Sequence, residues 1–123
     1  MYHHVNNSVY YHLFDSVVNS YLIQHCALDP KKSSHIGLVV HSQCDYLAPT
    51  EFPAVLVLAL KVTKLGTSSV TYEIAVFERG QVMALGQFVH VFVDRESRKP
   101  AKEGMPGKLR EGLGRILAEP SRL

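Results

Sequence analysis

Cysteine is scarce in this chain: there are two, Cys26 and Cys44, well separated and part of no framework. That spacing excludes a disulfide-stapled scaffold and leaves reduced, partly buried thiols as the expectation. Long apolar runs are missing as well. None approaches the ~18 residues that cross a bilayer, and the N-terminus does not read as a secretory signal. Charge of one sign is not in excess: a formal net charge of +2 is too small to argue for nucleic acid or an anionic membrane as partner. The sequence holds no Gly-rich phosphate loop, no Gly-x-Ser-x-Gly elbow and no Cys–His pair that can be placed, so those chemistries fall away. His3, His4 and His12 fit no zinc spacing, and no Cys or carboxylate completes a set; no metal is expected.

What is present is one domain's worth of chain. Its 123 residues are 46% hydrophobic and 20% charged, enough for a single core and too short for two. Residues 9–24 carry apolar side chains at Tyr10, Leu13, Phe14, Val17, Val18, Tyr21 and Leu22. Spacing of three and four predicts a helix that is apolar over a wide arc. Asn6, Asn7 and Ser8 precede it, and these residue types cap helix starts. The helix should end near His25, ahead of Asp29-Pro30, because proline disfavours helical geometry in its predecessor.

The pattern then turns to β. Strands are expected over residues 36–46, 54–65, 68–78 and 81–94, separated by a two-proline stretch (Pro49, Pro53), by Gly66-Thr67 and by Arg79-Gly80. Short connections predict an antiparallel meander. Beyond Asp94 the composition reads as a loop or mobile tail. Leu109, Leu113, Ile116 and Leu117 have helical spacing, but Gly112 and Gly114 each weaken a helix by about 1 kcal/mol. The domain is therefore placed at residues 1–111, with a C-terminal tail over 112–123.

One helix followed by four long antiparallel strands fits an α+β sheet curled around a central helix. The segment His4-Val5-Asn6-Asn7-x-x-Tyr10, followed by Leu13-Phe14-Asp15, resembles the helix entry of the hotdog-fold acyl-CoA thioesterases, in particular the 4-hydroxybenzoyl-CoA thioesterase-like branch. Asp45-Tyr46-x-x-Pro49 and His90-Val91-Phe92-Val93-Asp94 support the resemblance. It implies hydrolysis of an acyl-CoA thioester to free acid and CoA, a role in lipid metabolism, and no cofactor beyond the CoA of the substrate. It also implies a homodimer or homotetramer with its sheets paired at a free edge.

The same resemblance implies the site. A helix N-terminus stabilises an oxyanion with unpaired N–H groups, and the donor corresponds to the backbone of Asn7. Asn6 would shape the turn, His4 is the leading catalytic side chain, and Val5, Tyr10 and Asp45 would contact substrate. Phe14, Phe88 and Phe92 are further lining candidates, and Arg95, Arg98 and Lys99 are candidates for the CoA phosphates. Related sequences usually read Asp-x-Asp-x-x-Gly-His-Val-Asn-Asn. Here His3 replaces the Gly, and the catalytic Asp falls one residue before Met1, together with a preceding strand. Asp15, Asp45 and Glu51 are the substitutes considered, while His12 and His90 read as structural. The expectation is a chain that, as written, turns over acyl-CoA poorly; the alternative is a shortened subunit that only binds acyl-CoA or assembles. A cytoplasmic location is expected, or peroxisomal in a eukaryote, because Ser121-Arg122-Leu123 is a variant of the Ser-Lys-Leu address.

Overall fold

The computed structural model describes residues 7–29, 35–47, 55–100 and 104–121, with side chains from Tyr10 onward. The elements are α1 (Asn7–His25), β1 (His35–Tyr46), β2 (Val57–Leu65), β3 (Ser69–Glu78), β4 (Gln81–Asp94) and α2 (Gly107–Gly114). The expected helix and four strands are all present, and the architecture is α+β. Four antiparallel strands form one sheet in the order β1-β4-β3-β2. Among the described residues no helix is long and apolar enough to cross a membrane.

The order corrects the meander. Strands β2, β3 and β4 do run as one, but β1 pairs with β4 instead of β2. Residues 47–56 link β1 to β2, and a link of that length reaches about 33 Å. Crossing three strand spacings needs only about 14 Å. The connection is too long to force a hairpin and long enough to span the sheet. Between β3 and β4 the link is tight: Arg79 and Gly80 both adopt positive φ, 53° and 79°, the two-residue geometry that matches strand twist.

Tyr10, Phe14, Val18 and Leu22 recur every fourth residue and are buried on one stripe of α1, continued by Cys26. The stripe is narrower than the sequence suggested, since Leu13, Val17 and Tyr21 are only half-buried. It packs on the inward faces of β3 (Val70, Tyr72, Ile74, Val76) and β4 (Ala84, Phe88, Phe92). Fully burying one such side chain contributes roughly 1.5–3 kcal/mol.

The segment read as a loop beyond Asp94 contains α2, which runs across position 111, with Leu109, Gly112 and Leu113 buried. Gly112 is a site of close approach: a β-carbon there would lie 2.5 Å from Cys26 Sγ and 2.6 Å from the His25 carbonyl oxygen. The hydroxyl of Tyr21 donates to the Gly112 carbonyl at 2.5 Å. Arg110 donates to the carbonyls of Gly66 (2.6 Å) and Thr67 (2.9 Å), tying α2 to the β2–β3 turn.

Beyond α2 the chain lies along the outer side of β2. Val62 N–H donates to the Ile116 carbonyl (2.9 Å), and Ala118 N–H donates to the Val62 carbonyl (2.8 Å). Ser121 then donates its N–H (3.0 Å) and hydroxyl (2.5 Å) to the Glu73 carboxylate, which also pairs with Lys61 at 3.1 Å. Burial opposes ionisation of Glu73, but these donors outweigh it and hold the carboxyl below its ordinary range. The other edge strand, β1, leaves Leu38, Val39 and Val40 exposed at 37%, 46% and 58%.

Candidate functional site

Helix α1 begins at Asn7, so the N–H groups of its first turn have no partner one turn back and carry partial positive charge. Its first turn holds no acidic residue, leaving that charge uncompensated from within the helix. This is an anion-stabilising end, built from backbone alone. His4, Val5 and Asn6 lie outside the described residues, as do Glu51, Arg122 and Leu123; of Asn7 only the backbone is described.

Aromatic rings gather beneath this end. Tyr10 packs against Tyr46 (centroids 5.1 Å apart) and Phe14 (6.1 Å), and Phe88 stands edge-on to Phe14 at 5.8 Å. Tyr10 is 1% exposed. Its ring packs in the core, as do those of Phe14, Phe88 and Phe92. The ring that remains open here belongs to Tyr46. Burial, followed by the neighbouring Cys44, pushes its phenol up to about 12, and burial also raises the Cys44 thiol. The wall is therefore neutral near pH 7 and offers no ready nucleophile.

The remaining candidates are dispersed. Asp45 is exposed on β1 beside Tyr46, and Asp15 and His12 are exposed on α1. His90 is buried: its Nδ1 lies 3.3 Å from the Tyr72 hydroxyl, and burial depresses its pKa to about 4. Arg95, Arg98 and Lys99 follow β4 at the end of the sheet opposite the start of α1, in a turn held by Asp94, whose Oδ1 accepts from the N–H groups of Glu96 and Ser97 at 3.0 Å each. Strand β4 spans 14 residues, up to about 45 Å if straight, so within one chain these cations are remote from the start of α1. A cavity of about 340 Å³ lined by Cys26, His35, Lys108 and Leu109, among others, sits at the far end of α1. Burial pushes the Cys26 thiol up to about 11, which makes it inert.

One carboxylate escaped the sequence reading. Glu78 ends β3, and its Oε2 is buried without a hydrogen-bond partner.

Sheet, helix and uncompensated helix start together define a hotdog-fold thioesterase. The profile of the thioesterase superfamily matches residues 2–84, and the chain belongs to that superfamily. Thioester hydrolysis is the chemistry of this group, and its thioesterases need no cofactor. The PA5185 protein from Pseudomonas aeruginosa is 48% identical over 96% of this chain and 82% of its own, with a TM-score of 0.88. The Staphylococcus aureus protein SAV2348, solved in complex with CoA, is 13% identical and shares the fold with a TM-score of 0.86, covering 100% of this chain and 79% of its own. A 1,4-dihydroxy-2-naphthoyl-CoA thioesterase from Synechocystis shares it at 18% identity and a TM-score of 0.78, covering 91% and 84%. No curated protein matches the sequence.

Proposed function

We propose that this chain hydrolyses an acyl-CoA thioester to a carboxylic acid and CoA, at the N-terminus of α1. The observation that carries the reading is that α1 starts at Asn7 with no acid in its first turn. A thioester oxygen placed there gains negative charge in the transition state against preorganised amides. The backbone N–H of Asn7 is the oxyanion donor. Asn6 and His4 shape and orient the entry turn, Val5 contacts the substrate, and Tyr10 and Tyr46 form the wall beneath it. Two fold relatives support a CoA thioester as substrate: one is a CoA complex, and one is named for an aromatic acyl-CoA.

The reading includes a homodimer through β1. A two-fold pairing of one edge strand with its own copy is necessarily antiparallel. It sets the β4 exit of one copy beside the Tyr46 end of the other. Asp45 then lies at the subunit boundary. Arg95, Arg98 and Lys99, too distant within one chain, approach the CoA phosphates from the second copy. The relatives above come from bacteria, where Ser121-Arg122-Leu123 carries no peroxisomal address.

The lack of an acid in the first turn of α1 also favours a second reading, a subunit that binds acyl-CoA without turnover. Thiol release from a panel of aliphatic and aromatic acyl-CoAs, run beside calorimetric binding of a non-hydrolysable thioether analogue, decides between them. Release establishes the hydrolase. Binding without release establishes the second reading, and a chain that shows neither release nor binding overturns the site assignment.

A further inference from the structure

We propose that the site at the start of α1 takes a short acyl group, and that the Phe14 ring, lying on the backbone of Gly86, is the stop that limits its length. The inference rests on the acyl-CoA hydrolase reading above and names the substrate class which that reading leaves open.

An apolar acyl chain gains from the protein only where it is covered. From a carbonyl held at the Asn7 N–H, the covered direction is the layer between α1 and the inward face of the sheet. The first inward residues of β4 on this path are small: Ala84, then Gly86, with Phe88 after them. Tyr46 pairs with Ala84 and Cys44 with Gly86, Tyr10 packs on Tyr46, and Phe14 packs on Gly86. Helix α1 therefore runs from its start along this low strip of the sheet, where side chains leave the most room for a guest.

In this chain the strip is already filled. A β-carbon on Gly86 would lie 2.6 Å from Cζ and 2.9 Å from Cδ2 of Phe14, so the ring rests directly on the strand and no carbon chain passes between them. Phe14 is fully buried, and Phe88 stands edge-on to it at 5.8 Å. On the β1 side the Tyr10 ring closes the remaining way, 5.1 Å from Tyr46 and 6.1 Å from Phe14.

The helix gives the scale. Phe14 follows Asn7 by seven residues, about 10.5 Å along the axis, and its ring leans back toward the helix start by about one residue. A chain carbon and a ring carbon keep about 4 Å apart. That leaves roughly 5–8 Å for the acyl group, enough for about four to six carbons. A longer chain must either push Phe14 off Gly86, breaking a core contact, or turn out into water.

The test measures kcat/KM of the full chain on straight saturated acyl-CoAs from acetyl to dodecanoyl, for wild type and Phe14→Ala, with thermal melts alongside. Wild type should peak at or below hexanoyl and fall about tenfold or more by decanoyl. Phe14→Ala uncovers the strip over Gly86, so the ratio of decanoyl to butanoyl turnover should rise about tenfold. Loss of folded protein does not move that ratio, because it lowers both substrates together. Phe14→Leu serves if the Ala variant does not fold, with a smaller rise in the same direction. A wild type that turns over decanoyl within about threefold of butanoyl overturns the assignment while leaving the hydrolase reading intact. An unchanged ratio in a folded variant does the same. A wild type that releases thiol from no acyl-CoA removes both.

Discussion

The Tyr72 hydroxyl and Nδ1 of His90 lie 3.3 Å apart across neighbouring strands, in a core where each residue is at most 2% exposed. Burial holds the His90 pKa down near 4, from an ordinary 6.5. The unfolded chain therefore binds a proton below about pH 6.5 that the native chain refuses until about pH 4. Stability is complete above that range and falls as the pH drops through it, by roughly 3 kcal/mol in all. Urea melts from pH 7.5 to 4.5 should show this decline. His90→Gln should flatten it, and a slope unchanged in that variant would assign the acid sensitivity elsewhere.

Two glycines of α2 should respond in opposite directions to the same substitution. Gly112→Ala drives a methyl group toward Cys26 Sγ and the fixed His25 carbonyl, and should cost about 1–3 kcal/mol. Gly114 has open space where a β-carbon would sit, so Gly114→Ala should gain up to about 1 kcal/mol in helix propensity. Chemical denaturation of the two variants checks the pair. Equal effects would mean that α2 does not pack on the end of α1.

Asn7→Pro removes one N–H and little else, because proline is accepted at the first position of a helix. The hydrolase reading predicts a fall in kcat of about 10²–10³-fold with far-UV dichroism and melting temperature nearly unchanged. Full activity in this variant would take the oxyanion role away from that amide.

The pairing proposed through β1 makes two linked claims. Val40→Lys places a charge on an apolar edge residue and should convert a dimer into a monomer in light scattering. Arg98→Glu should leave the dimer whole and raise KM for acyl-CoA about tenfold, but not for a thioester of N-acetylcysteamine, which lacks phosphates. A wild type that is already monomeric defeats the first claim, and equal effects on both substrates defeat the second.

The elements of the fold were legible because each is written in apolar periodicity: Tyr10, Phe14, Val18 and Leu22 at helical spacing, Val70, Tyr72, Ile74 and Val76 at alternate positions. Strand order was not, because residues 47–56 can either turn back or cross, and nothing local selects. Helix α2 was obscured by Gly112, whose lack of a side chain weakens an isolated helix yet permits the contact with Cys26 that holds this one. Tyr10 was read as a site residue from its motif, and the packing of its ring on Tyr46 could not be read from the motif. The helix start itself was legible in the change from a polar run to apolar spacing at Tyr10, and α1 begins at Asn7.

The C-terminal segment bound to Val62 has a bearing on how large an assembly this chain builds. The tail occupies the middle of the β2 flank of the sheet at Val62. Under the pairing proposed through β1, that contact keeps β2 from serving as a second edge for strand addition.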